Sequence, residues 1–120
     1  MNMSNIPVDY QAVHKDPTDT ELAAYKKVTK SQLRRDVLFH IFMQRHTPSV
    51  GATGSELANF MGKSILSVRP RLTELEAYGY IQKSDKRRPN ASNCSEIVFC
   101  ISALGIVSMN KILEEEKNDQ

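Results

Sequence analysis

The sequence holds only two cysteines, Cys94 and Cys100, too few for a disulfide scaffold. If both lie on one extended segment they cannot approach closely enough to bridge, so a reducing compartment is expected. No apolar run approaches the roughly 20 residues of a membrane span, and the opening MNMSNIPVDY lacks the basic and apolar regions of a signal peptide. The expected location is therefore the cytoplasm. His14, His40 and His46, with the two cysteines, show no C-x-x-C or H-x-x-x-H spacing, so neither a metal nor a cofactor is expected. A Gly-rich phosphate loop, a G-x-S-x-G elbow and paired acidic motifs are likewise missing, and with them the usual marks of an enzyme. Charge of one sign is not in excess either. The 16 basic and 14 acidic residues leave a net +2, which excludes a strongly polycationic protein and still allows a local basic patch.

What is present is organised around Thr53 to Ile81. Thr53 and Glu56 form the reciprocal pair of a capping box ahead of Leu57, Phe60 and Met61. Gly62 suits the left-handed residue that ends a short helix. Ser64 is the next N-cap candidate, after which Ile65, Val68, Leu72 and Leu75 recur at helical spacing until Gly79. The opposite face carries Leu66, Ser67, Pro70, Thr73 and Glu74, with Arg69 and Arg71 on its flanks. Pro70 removes one hydrogen bond and crowds the carbonyl of Leu66, which moves the expected start of regular helix to Leu66 or Ser67. Two short helices about a tight turn make a helix-turn-helix.

At 120 residues the chain has material for one core with tails. Residues 1–17 show no period and are interrupted by Pro7 and Pro17, which reads as an irregular arm. Thr18 with Glu21 opens a short helix carrying Leu22, Tyr25 and Val28, and Thr29 with Gln32 repeats the capping signal. Leu33, Val37, Leu38, Ile41 and Phe42 then give the main amphipathic helix, expected to end near His46 because Pro48 disfavours helical geometry at Thr47. Beyond Gly79, Tyr80 to Asp85 and Glu96 to Ser102 are β-prone, and the ten residues between them suit a long hairpin tip with Asn93 in a left-handed turn position. Ser102 can cap a last helix through Lys117. Its Leu104, Ile106, Val107, Met109, Ile112 and Leu113 are too widely spread for one stripe, so two buried faces are expected. From Lys63 to Arg88 seven basic residues oppose three acidic ones, a local +4, whereas the end of the chain is acidic.

Helix, helix, turn, helix, hairpin is the winged helix order, with Lys86 to Ser95 as the wing. The segment SVRPRLTELEAYGYIQKSDKRRPNASNCSEIVFCIS resembles the winged helix-turn-helix proteins of bacteriophages and prophages. Arg71, Glu74, Leu75, Gly79 and Ile81 match the end of that family's recognition helix. Arg87, Arg88, Pro89, Ser92, Val98 and Phe99 match its wing. Asn93 stands at the family's Gly and Cys94 at a basic residue, which leaves one wing phosphate contact without its cation. The resemblance covers about Ser31 to Ser102.

The expected fold class is thus α+β, mainly α: a winged helix-turn-helix over residues 18–102, with the arm at 1–17 and a C-terminal helix and acidic tail at 103–120. The expected function is sequence-specific binding of double-stranded DNA, as a phage-type transcriptional regulator or replication-associated protein in the cytoplasm of a bacterial host. The helix Ser64 to Tyr78 would read the major groove with Lys63, Ser64, Ser67, Arg69, Arg71 and Thr73. Arginine suits guanine and Leu66 suits a thymine methyl. The wing, with Lys86, Arg87, Arg88 and Asn90, would touch the backbone or the minor groove. A homodimer through the C-terminal helix is expected from the surplus apolar face and the usual pairing of half-sites. The competing reading is a winged helix that binds protein and no DNA, with Arg69 and Arg71 as ordinary surface charges.

Overall fold

The computed structural model describes residues 26–47 and 50–118. The arm, and all of the Thr18 helix before residue 26, lie outside the described residues. Residues 26–29 form a helical turn that buries Val28 completely. The first full helix, α1 (Gln32–Met43), starts at Ser31 and not at the Thr29 box. Thr29 still belongs to the preceding turn, where its hydroxyl donates to the Lys26 carbonyl. Ser31 is extended, and its side chain accepts from the Arg34 N–H at 3.1 Å. The helix ends at Met43, one turn before His46, and buries Val37, Leu38, Ile41 and Phe42.

Helix α2 (Gly54–Met61) has the anticipated capping box, with Glu56 N–H to Thr53 Oγ1 at 3.2 Å and Thr53 N–H to Glu56 Oε1 at 3.1 Å. Gly62 closes it at φ 63°. Helix α3 (Ile65–Ala77) begins under the Ser64 cap and passes through Pro70 unbroken, starting at Ile65, not at Leu66 or Ser67. The proline is exposed and near the N-terminus, so the missing N–H affects only the Leu66 carbonyl. At the far end the Tyr80 N–H returns to the Leu75 carbonyl and the Gly79 N–H to Glu76, with Gly79 at φ 88°; this Schellman arrangement turns the chain into the hairpin.

Strands β1 (Ile81–Pro89) and β2 (Ser95–Ile101) pair antiparallel. The hairpin is longer and its tip shorter than the sequence implied, because Lys86 to Pro89 continue β1 and only residues 90–94 turn. Charged and proline residues are poor strand formers, yet the ladder holds them: Arg87 faces Ile97, Arg88 faces Glu96 and Pro89 faces Ser95. Between Lys83 and Arg87 β1 carries extra residues, and the Ser84 hydroxyl accepts from the Lys86 N–H across that bulge. Asn93 adopts φ 61°, as expected at the tip.

A single rung, Ala52 with Phe99, ties the loop before α2 to the hairpin. A Cβ on Gly51 would come within 2.1 Å of the Phe99 carbonyl oxygen, so this approach requires glycine. Helix α4 (Ala103–Asn118) is capped by the Ser102 hydroxyl, which accepts from Gly105 N–H at 3.1 Å. Met109 and Ile112 enter the common core with Leu38, Ile41, Leu57, Val68, Leu75 and Tyr80. Leu104, Ile106 and Leu113 pack partly on that core, leaving Val107 as the outward apolar residue of the six, 53% exposed. Arg35 on α1 reaches Glu116, its Nε 2.8 Å from the carboxylate, and so ties the outer end of α4 to the domain. Among the described residues no helix is long and apolar enough to cross a membrane. The architecture is a mainly helical winged helix.

Candidate nucleic-acid interface

Burial of Val68, Leu72 and Leu75 turns the other side of α3 to solvent. Leu66 is 76% exposed there, beside exposed Ser67, Arg69, Pro70 and Thr73. Lys63 and Ser64, also exposed, lie in the turn before it. The Ser64 hydroxyl is engaged as the cap, and the Thr73 hydroxyl donates back to the Arg69 carbonyl at 3.2 Å. Both keep acceptor capacity toward a ligand.

The two arginines of α3 differ. Arg71 is half-buried and donates to Glu74 at 2.8 Å, while Arg34 of α1 donates to the other oxygen of the same carboxylate at 3.0 Å. Glu74, expected on the reading face, is thereby drawn toward α1. Arg71 follows it, with its Nε buried and without a hydrogen-bond partner. Arg69 is exposed, and among the described residues its guanidinium has no hydrogen bond or ion pair. It is the cation of the helix left available to a ligand.

The wing divides similarly. Lys86 is exposed in the bulge. Arg87 is exposed but laid along β2, donating to the Ser95 hydroxyl at 2.9 Å and the Ser95 carbonyl at 3.1 Å. Arg88 turns inward, with Nε 2.8 Å and a terminal nitrogen 2.6 Å from the two oxygens of Glu56, and 3.0 Å to the Gly51 carbonyl. Asn90 is used within the hairpin. Its Oδ1 accepts from the Ser92 and Cys94 N–H groups at 2.9 and 3.0 Å, and its amide donates to Glu96. Glu96 also accepts from the Ser55 N–H at 3.1 Å and from the Ser55 hydroxyl.

Burial alone would push the Glu56 carboxyl up, but Arg88 and the Thr53 N–H outweigh it and hold the group below the ordinary carboxylate range. Glu96 behaves alike: burial raises it, and Ser55, Asn90 and the charge of Arg69 together lower it further. Between α3 and the wing lies an open cleft of about 350 Å³ with Arg69 and Thr73 on one wall and Arg87 and Ser95 on the other. A second, of about 400 Å³, runs past Lys63, Asn59 and Ser92, and Arg69 borders both.

Of the residues singled out from sequence, the structure therefore leaves Lys63, Ser64, Ser67, Arg69 and Thr73 exposed on and before α3, with Arg87 across the cleft and Lys86 exposed in the bulge of β1. Arg71, Arg88 and Asn90 are engaged within the protein. Sequence reasoning missed Ser55, Glu56 and Glu96 as partners of the wing. The only signal for them was the capping box, which already accounted for Glu56 and concealed its second role.

No protein-family model and no curated sequence matches the chain. The likeness is to solved structures. The Staphylococcus aureus MepR–DNA complex superposes with a TM-score of 0.58 at 12% identity, over 92% of this chain and 85% of that one. The YusO protein of Bacillus subtilis gives 0.57 at 21%, over 97% and 76%. A MarR protein of Peptoclostridium difficile gives 0.57 at 15%, over 98% and 68%. At such identities the likeness is one of fold, and the fold that this chain shares with them is the winged helix-turn-helix.

Proposed function

We propose that the protein binds double-stranded DNA sequence-specifically and regulates transcription, with α3 in the major groove and the wing along the backbone. The observation that carries this reading is Arg69. It is an exposed guanidinium with no hydrogen bond or ion pair among the described residues, on the flank of a polar helix face, with Arg87 across an open cleft. MepR, of the same fold, is a transcription regulator and is seen bound to DNA. The sequence resemblance to phage and prophage proteins supports a phage-type regulator, with a replication-associated role distinguished by where the selected sites lie.

The test is duplex binding as a function of salt. With Lys63, Arg69, Lys86 and Arg87 on phosphates or base edges, log K should fall with log salt with a slope of roughly −3 to −4 per subunit. Absence of salt-dependent binding would favour the protein-binding module, for which exposed Leu66 would be the anchor. A homodimer is part of the proposal, because paired half-sites give a small reading helix useful specificity. Val107 on α4 is its candidate contact. Light scattering checks this with Val107→Asp, since Ile112 is 1% exposed and its replacement would break the core.

A further inference from the structure

Arg88 and Glu96 are opposed across the hairpin, and Ser55 and Glu56 are adjacent on the first turn of α2. The four side chains join these elements twice, by Arg88 with Glu56 and by Glu96 with Ser55. Each half extends further. Arg88 also reaches the Gly51 carbonyl on the loop that carries the Ala52–Phe99 rung. Glu96 holds Asn90, which in turn holds the Ser92 and Cys94 N–H groups of the tip. A hairpin of two strands has little stability of its own, so its angle to the helices depends on such ties. Charge-assisted bonds in a partly desolvated setting are the stronger kind.

We infer that Arg88 and Glu96 are positioning residues that clasp the wing to α2, fixing its distance from the recognition helix and the shape of its tip. This rests on the DNA-binding reading above. It differs from the expectation that Arg88 and Asn90 touch DNA directly, and it has an unusual sign. Removing an acid beside a DNA-binding surface should, by charge alone, tighten binding. Removing Glu56 or Glu96 releases the clasp and should weaken it.

The experiment measures Kd and its salt dependence for a duplex selected from random fragments. It uses the full chain and Glu56→Gln, Glu96→Gln, Arg88→Gln and the Glu56→Gln/Arg88→Gln pair, with circular dichroism melts confirming folded protein at the assay temperature. The expected result is binding about fivefold weaker for each single variant, with the pair no weaker than Arg88→Gln alone. In the DNA-free protein, Glu96→Gln should also speed exchange of the Ser92 and Cys94 amide protons, which the Asn90 side-chain Oδ1 accepts.

Folded Glu56→Gln and Glu96→Gln variants that bind as tightly as the parent, or tighter, would overturn the inference. So would an Arg88→Gln salt slope shallower by about one with Glu56→Gln unaffected, the signature of a phosphate contact. If the parent binds no duplex, the DNA reading has failed, and unchanged tip exchange in Glu96→Gln would separately reject the clasp.

Discussion

Arg88 and Glu96 stand directly opposite each other across the wing, carry opposite charges, and bond to α2 in place of one another. Directly opposed charges on a sheet ordinarily pair, for a few tenths of a kcal/mol up to about 1. Here each has an alternative on α2. Glu56 offers Arg88 both carboxylate oxygens, and the start of α2 offers Glu96 a backbone N–H and a hydroxyl.

This arrangement predicts an acid-sensitive wing. The carboxyls of Glu56 and Glu96 are both held below the ordinary value of 4.5 in the folded protein. A depressed carboxylate contributes stability that is fully present above the unfolded value and is lost as pH falls through the folded one. The melting temperature of the parent should therefore exceed that of Glu96→Gln near pH 7, and the gap should close on descent below about pH 4. A gap that is constant with pH would exclude the charged form of Glu96 as the stabilising species.

Arg69 and Arg71 are expected to separate in their effects. Arg69→Ala should lower the ratio of cognate to random binding by roughly 5- to 150-fold, the range for losing a base contact worth about 1 to 3 kcal/mol. Arg71→Ala should change that ratio less, because its guanidinium is committed to Glu74, and Arg34 can retain that acid. Competition binding against random duplex decides it; equal losses of ratio would return Arg71 to the reading face.

How much of this was legible beforehand follows from the range over which each feature is determined. The Thr53–Glu56 box, the Gly62 and Gly79 turns, the Ser64 cap and the Val68, Leu72, Leu75 stripe depend on residues within one or two helical turns, and the structure has all of them. The wing boundaries do not. Lys86 to Pro89 have poor strand propensity, and they pair only because Ser95 to Ile97 present a partner and the bulge absorbs the misfit. The committed side chains were hidden for the same reason. Glu74 reads as solvent-facing on α3 until Arg34, 40 residues earlier, is set against it, and Arg88 reads as a free cation until Glu56 is.

Two core substitutions test the packing. Leu75→Ala, at a fully buried position, should cost about 2 to 5 kcal/mol. Gly105→Ala should cost about 1 to 3 kcal/mol by overpacking, because a Cβ there would lie 2.2 Å from the Tyr80 carbonyl oxygen, at the junction of α4 with the strand. Denaturant titration gives both. A Gly105→Ala protein as stable as the parent would mean that α4 can shift on the domain without loss.

Leu66 yields the most specific prediction about the target. At 76% exposed it is, among the described residues, the most exposed of the large apolar ones, and it stands in the first turn of α3, where a recognition helix meets base edges. An apolar side chain there gains most from the C5 methyl of thymine, the one apolar group in the major groove. Selected sites should therefore hold a thymine whose replacement by deoxyuridine, which removes only that methyl, weakens binding by roughly three- to fivefold, consistent with burying about one methyl group. Leu66→Ala should weaken binding to the thymine duplex by a similar factor and remove the difference between the two duplexes, while leaving thermal stability within about 0.5 kcal/mol of the parent because the site is on the surface. If the losses from deoxyuridine and from Leu66→Ala simply multiply at every thymine of the site, Leu66 does not touch a methyl, and its exposure would have to serve contact with another protein.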